Sequence, residues 1–452
     1  MNLCSTSSSR EIRKGVFQLA WPSITEQMLI MMVGIVSMIM VGHIGKEAIV
    51  AVGMVNMLIF FIQAVFAALS TGATVLVARL TGEEDMSKAR EATLQSVIIA
   101  VVSSVLMMLL CYIFTQPILR LFLNGAEQSV LALSLVFYRW TIISLPFLII
   151  NIVVGGAFRG AGDTRTPMYV SIIVNIINVV LGFILIIGIG PMKSMGVFGA
   201  AIAITVSRGV GGLLLLGILY FGNTPIRLHL KDGFRINVDM IRRIFHVGLP
   251  ASLEQIVMQG GFLIMQVIVI SMGTVASAVY QISNSINSIA FMPIFGFAIA
   301  VITLTGQHLG RKDPEMAERC AIQTLYICLA VISTLGILLF IFAKQLMYLY
   351  TNDPEVVALG IVIIRILSFG EPLLAVLNVM SSVLRGAGDI KYIMYTSIIG
   401  IWCFRIVITY IMHRFFGIGV VGVWIAIVID FMIRACLYWL RFRAGKWKTI
   451  QV

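Results

Sequence analysis

Runs of about twenty or more apolar residues recur from end to end of this chain, and mostly short polar loops part them. A helix of about twenty residues spans a hydrocarbon core of about 30 Å, so each run is long enough to cross a bilayer. Twelve such runs can be read, the first opening near residue 16 and the last closing near 440. Lipid offers backbone amides no partner, which leaves helices and closed barrels as the only spanning structures. Barrel strands would be about ten residues long with alternating polarity, and no such alternation is present. The chain therefore reads as an all-α integral membrane protein of twelve transmembrane helices. Its 60% hydrophobic and 12% charged residues agree, since soluble domains carry roughly 25% charged residues.

The word Arg-Gly-Ala-Gly-Asp occurs twice, at 159–163 and 385–389, each time after a long apolar run. Other residues recur at nearly the same offset: Pro22 with Pro250, Glu26-Gln27 with Glu254-Gln255, Asn56 with Asn284, Gly82 with Gly310, Gln95 with Gln323, and Arg139 with Arg365. The chain is thus a duplication, and its halves are expected to form two pseudo-symmetric six-helix bundles. Six is even, so the halves share one orientation: a parallel repeat about an axis along the membrane normal, with a binding cavity expected between them. The expected division is a tail at 1–15, an amino lobe at 16–221 with the first six spans, a polar linker at 222–240, a carboxy lobe at 241–440 with the other six, and a tail at 441–452.

A net charge of +12 does not point to nucleic acid, because the basic residues are scattered through short loops instead of gathered on one face. Their sidedness is the informative property. With the amino end inside, 22 Lys and Arg fall in inner loops, including Arg227, Lys231 and Arg235 of the linker; only Lys46, Arg120, Lys193, Lys344 and Arg414 fall outside. The positive-inside rule then makes both termini cytoplasmic. Neither a cleavable leader nor a lipoprotein signal is expected. The first apolar run is too long for a signal core, no small-residue cleavage pattern follows it, and no apolar segment precedes Cys4.

No G-x-x-x-x-G-K-[ST] loop is present, so ATP is not the expected energy source. The six cysteines lack metal-ligand spacing and read as free thiols, most of them within spans. Neither an organic cofactor nor enzyme chemistry is expected, and a monomer suffices if the two lobes of one chain form the cavity.

Chemistry is sought instead in ionisable side chains at membrane depth, which are costly there and face a cavity or a partner. The spans hold Glu26, Arg139, Arg208, Glu254, Arg365, Glu371, Arg405, Asp430 and Arg434. Glu254 lies about 20 Å into the seventh span by helical rise, and Glu371 is about as deep in the tenth. Pro250 stands one turn before Glu254 and Pro372 directly follows Glu371, so each helix is expected to bend and free carbonyl oxygens near the carboxylate. Such a pairing suits Na⁺ or H⁺; the other reading is a structural hydrogen bond. Pro22 and Glu26 repeat the seventh-span arrangement, but Leu145-Pro146 stands where Glu371-Pro372 does, so Glu26 reads as structural, substrate-facing or ion-binding. Asp430 and Arg405 are expected to pair near mid-depth, with Arg434 snorkelling to the inner surface; Asp430, like Gln255, is also a candidate for cation or substrate contact.

Gln281, Asn284 and Asn287, beside Tyr280, share a helix face by their spacing of three. Asn56 repeats Asn284, and Asn175 with Asn178 places two more amides on one face of the fifth span. Substrate contact and interhelical hydrogen bonding are the two readings of these amides. In the repeated words, two glycines permit a tight turn, Asp can cap the next helix, and Arg can meet carbonyls or lipid phosphate, which makes each word an elbow.

With twelve spans, a parallel duplication and these words in place, the chain resembles the multidrug and toxic compound extrusion (MATE) transporters. The likeness runs from Leu19-Ala20-Trp21-Pro22 through Met40-Val41-Gly42-His43-Ile44-Gly45 and both Arg-Gly-Ala-Gly-Asp turns to Gly419-Val420-Val421-Gly422. It implies that Glu254 and Glu371 form the carboxy-lobe cation site of the NorM-like branch, with Na⁺ the one metal such a site would take. The archaeal and DinF-like branches carry acidic residues where this chain has Ser37 and Gly182, which argues against an amino-lobe ion site, although Asn178 matches an amide position of that branch.

The implied activity is antiport by a multi-pass protein of the cell membrane: small organic drugs, often cationic and aromatic, leave as Na⁺ or H⁺ enters, with the lobes alternating access. A flippase for lipid-linked precursors, from the same superfamily, is the alternative. It would direct Arg139, Arg208, Arg365 and Arg405 at a pyrophosphate, and the two carboxylates argue against it. No pore-filter sequence or metal-spaced cluster supports a channel or a membrane-embedded enzyme.

Overall fold

The structure, a computed structural model, describes residues 8–122, 127–188, 194–229 and 236–450; Cys4, Lys193, Lys231 and Arg235 lie outside the described residues. Every regular element among the described residues is helical. The first half of the chain supplies α1 (Ser9–Gly42), α2 (Lys46–Gly82), α3 (Met86–Ile113), α4 (Thr115–Phe122), α5 (Gln128–Ile143), α6 (Leu145–Gly160), α7 (Arg165–Gly182) and α8 (Gly196–Phe221). The second supplies α9 (Val238–Ser271), α10 (Thr274–Gly310), α11 (Pro314–Tyr350), α12 (Pro354–Ala387), α13 (Ile390–Ile398), α14 (Val407–Arg414) and α15 (Gly419–Arg443). A π-helical segment, Phe183–Ile187, extends α7, and a second, Ile399–Ile406, joins α13 to α14. Eleven helical stretches among the described residues are long and apolar enough to cross a membrane, and the pair α5 and α6, bent by 46°, makes a twelfth.

The duplication is visible in the backbone. Gly45 and Gly273 take φ of 147° and 108° ahead of α2 and α10, which end at Gly82 and Gly310. Glu84 and Lys312 then adopt left-handed φ of 61° and 60°. Asp85 and Asp313 cap the next helices, accepting from the backbone N–H of Lys88 and Met316. Every one of these pairs has the same offset in sequence. Asp85 is half-buried, and its hydrogen bond with the Lys88 ammonium, aided by the backbone bond, holds its carboxyl below the usual carboxylate range.

The prolines alone do not predict where a helix breaks. α9 and α12 continue through Pro250 and Pro372, whereas the break comes at Ser144, just before Pro146. Ser144 occupies the position that Gly370 occupies in the other half. Its hydroxyl donates to the Thr141 carbonyl at 2.6 Å and accepts from Arg208 Nη1 at 3.2 Å. That hydroxyl competes for the carbonyls of the preceding turn, and Gly370 has nothing with which to do so.

Two compact units result: residues up to Ile24 with those from Leu249 onward, and Thr25–Gly248. Helices α1 and α9 each therefore begin in one unit and continue in the other. The opening half of α1 presents Ile12, Val16, Leu19 and Ala20, spaced by one turn, to the core of the first unit. There a methyl group on Gly296 of α10 would stand 2.7 Å from the Ala20 carbonyl oxygen, so only glycine permits the approach. In the second unit, Gly72 of α2 admits α9 in the same manner: a methyl there would lie 2.5 Å from the Ile244 carbonyl oxygen. Glu26 and Glu254 follow within two turns of the points where their helices change unit.

Candidate functional site

Each Arg-Gly-Ala-Gly-Asp word sends its arginine back to the repeated glutamate. In the first unit Arg385 Nη2 donates to Glu254 Oε1 at 2.8 Å, and Ser397 Oγ of α13 donates to the same oxygen at 3.1 Å. Ser397 also meets the Tyr438 hydroxyl of α15 at 3.1 Å. In the second unit Arg159 Nη1 donates to both oxygens of Glu26 at 3.3 Å, and Ser171 Oγ reaches Oε1 at 3.5 Å. Ser171 and Ser397 stand at the same offset as the two words, so the whole Glu–Arg–Ser cluster is duplicated. The serines were the signal that sequence reasoning missed.

The glycines of the words explain how the arginines get there. A methyl group on Gly160 or Gly386 would lie 2.5 Å from the Thr74 or 2.7 Å from the Ile302 carbonyl oxygen, so α6 and α12 end in backbone contact with α2 and α10. Gly162 and Gly388 take φ of 91° and 88° and turn the chain. The aspartates diverge. Asp163 caps α7, accepting from the Arg165 and Thr166 N–H groups, whereas Asp389 makes no such cap and accepts from Arg441 Nε at 2.7 Å. The elbow reading holds, but the arginines meet carboxylates and not lipid phosphate.

Asp430 of α15 is fully buried and holds two guanidinium groups. Arg405 donates through Nε and Nη2 at 3.1 and 2.6 Å, and Arg434 through Nε and Nη2 at 2.8 and 2.6 Å. Arg434 is buried on Asp430, so its expected snorkelling is corrected. Gly400, in the π-helical stretch, makes the room: a methyl there would lie 2.6 Å from both Arg434 Cδ and Asp430 Oδ1. Arg405 sits at the end of the same stretch and lies 5.6 Å from the ring centroids of Phe262 and Phe431.

Glu371 is different. It is 1% exposed, and neither carboxyl oxygen has a hydrogen-bond partner. Its neighbour is Gly336 of α11, where a methyl group would stand 3.0 Å from the Ser368 carbonyl oxygen and 3.3 Å from Glu371 Cβ. Pro372 has no N–H to give to Ser368, four residues earlier, so this carbonyl has lost its helical donor. Two carboxyl oxygens and one released carbonyl thus belong to the same stretch of α12, the donor set a hard monovalent cation or a proton requires. Glu371 and Glu254 do not hydrogen-bond. Arg385, which holds Glu254, lies about 21 Å further along α12 by helical rise.

The remaining candidates are dispersed. Tyr280 is buried, its ring 5.6 Å from that of Trp424. Gln281 is exposed, and Gln255 is half-buried. Asn284 gives its amide to the Tyr280 carbonyl at 3.1 Å, while Asn287 Oδ1 is buried with no partner. Asn178 accepts from Ser37 Oγ at 3.1 Å and donates to Ser207 Oγ at 3.2 Å, so Ser37 belongs to a neutral network. Among the described residues no group of three His, Cys, Asp or Glu side chains is set to hold a metal.

The family model MatE matches this chain twice, over residues 22–184 and 250–411, and so covers both copies of the duplication. The chain belongs to the MatE family. It is 30% identical to the probable multidrug resistance protein NorM of Thermotoga maritima over 449 residues, spanning 97% of this chain and 94% of that one. Among solved structures, a MATE crystallised in the bent conformation superposes with a TM-score of 0.89 at 25% identity, covering 98% of this chain and 99% of its own. A MOP superfamily transporter from Pyrococcus furiosus, described as having a binding pocket of reverse polarity, superposes equally well over 99% of this chain and 100% of its own, at 25% identity. MATE proteins are multidrug efflux transporters and not enzymes, and this one is a multi-pass protein of the cell membrane.

Proposed function

We propose that this MATE transporter exports small organic, often cationic compounds in exchange for Na⁺ or H⁺, with the exchange centred on the carboxylates of α9 and α12. The observation that carries the reading is Glu371: a buried carboxyl without a partner, beside a carbonyl oxygen that Pro372 leaves without its donor. Glu254 supplies the second buried carboxylate, and Asn287 on α10 a buried acceptor for a drug. An unpaired carboxyl in an apolar setting is costly to leave empty, which favours a cation or proton there. An inward potential of 100 mV adds about 2.3 kcal/mol per entering charge. Cation entry discharges the drug on one side, and cation loss restores drug affinity on the other.

The arginines support a flippase less well. Of the four arginines that a flippase would direct at a pyrophosphate, Arg405 is spent on Asp430, Arg208 is bonded to Ser144, and Arg139 and Arg365 are exposed, Arg365 with its guanidinium 5.2 Å from the Phe340 ring centroid. Ethidium efflux from proteoliposomes under an imposed Na⁺ gradient at constant pH, and under a pH gradient without Na⁺, tests the proposal and identifies the ion. Glu371→Asn is expected to insert normally and to lose efflux under whichever gradient drives the unaltered protein. Full efflux by this variant would remove Glu371 from the mechanism.

A further inference from the structure

Glu254 already carries a cation, and that cation belongs to the chain. We infer that Arg385 is an internal stand-in for the transported cation: it occupies Glu254 when no external cation is bound and must be displaced from it during each cycle. The inference rests on the antiport reading above and adds a competitor to it.

Three features of the cluster carry it. Arg385 and Ser397 both bind Oε1 of Glu254, whereas Oε2 is buried and has no partner, so a cation can approach one oxygen while the guanidinium holds the other. The two partners also differ in exposure: the Glu254 side chain is 3% exposed and that of Arg385 is 22% exposed. The arginine is therefore the member with open space beside it. The duplicate cluster lacks the opening, because Arg159 bonds both oxygens of Glu26. Two copies of one arrangement have diverged in the single property an exchange site needs.

Position gives the exchange a consequence. Glu254 lies within two turns of the point where α9 passes from one compact unit to the other, and Arg385 ends α12 at the repeated elbow. While the pair is intact, α9 is tied to α12 and, through Ser397, to α13. Seating an external cation on Glu254 unties α9 from α12 without leaving a buried charge uncompensated, the condition under which breaking such a pair is costly.

Proteoliposome efflux of ethidium, with the driving cation titrated at a fixed drug concentration, provides the test. Arg385→Gln removes the competitor, so the cation concentration for half-maximal efflux is expected to fall at least about tenfold, the order expected for one charge-assisted hydrogen bond. Maximal efflux is expected to fall as well, because the cation then leaves slowly. Arg385→Lys keeps the charge and is expected to stay nearer the unaltered half-saturation. An unmoved half-saturation in both arginine variants would overturn the inference, whatever happened to maximal efflux. The antiport reading fails separately, if the unaltered protein shows no gradient-driven efflux at all.

Discussion

Gly336 owes its importance to what it leaves out. The Ser368 carbonyl and the Glu371 side chain pack where its Cβ would be, so Gly336→Val forces the α11 and α12 contact apart and fills the space beside the carboxyl. Overpacking of this kind costs about 1–3 kcal/mol. The expected outcome is a lower denaturation temperature in detergent together with a loss of ion-driven ethidium efflux; a variant with normal efflux would show that the space is not needed. Asp430 presents the opposite situation, a buried group that is fully engaged. Asp430→Ala leaves two buried guanidinium groups without an anion, and removal of one partner from such a pair costs about 3–5 kcal/mol. Thermal unfolding of the purified variant checks this, with an unchanged transition counting against a structural role. The sequence predicted the Arg405 pair, since both residues lie near mid-depth. It sent Arg434 to the surface, because nothing local shows that Gly400, on a different helix, clears the space in which the side chain folds inward.

The repeated elbow is one element built twice with different ends. Asp163→Ala removes the acceptor for the first two N–H groups of α7, a change worth about 1 kcal/mol, while Asp389→Ala instead cuts the tie between the start of α13 and Arg441 on α15. In both copies the fourth residue of the word is left-handed, so Gly162→Ala and Gly388→Ala should each destabilise by roughly 1–2 kcal/mol. Equal losses from the two alanine variants at Gly, set against unequal responses to loss of the two Asp side chains, are the expected pattern in thermal denaturation. The position of this element was legible from the word itself, and so were its turn and, in the first copy only, its cap. The destination of the arginine was not, because Glu254 and Arg385 are far apart in sequence and a loop residue after a span reads as outward-facing. The break at Ser144 was missed for a related reason. Proline marks where a helix can break, but the hydroxyl of Ser144 decides which of two equivalent prolines, Pro146 or Pro372, accompanies a break.

Across the whole molecule, the duplication preserved the scaffold and let the charges diverge. Turn glycines, left-handed residues, helix caps and the Glu–Arg–Ser clusters recur, whereas Leu145 stands opposite Glu371, Ile204 opposite Asp430 and Val179 opposite Arg405. Among the described residues, only one copy therefore holds a buried carboxyl without a partner, and only there does a glutamate of the repeated pair keep an oxygen open. If coupling resides in that copy alone, the equivalent substitutions must act unequally. Glu254→Gln should abolish efflux under the driving gradient, while Glu26→Gln, which also leaves an arginine unpaired, should lower stability yet keep efflux dependent on the same cation at the same half-saturating concentration. Comparing the two variants in one set of vesicles controls for the shared structural damage, since each removes one carboxylate from one Glu–Arg–Ser cluster. A shift in cation dependence with Glu26→Gln equal to that of the carboxy-terminal variant would mean that both copies bind the ion. The divergence of Leu145 from Glu371 would then have no bearing on coupling.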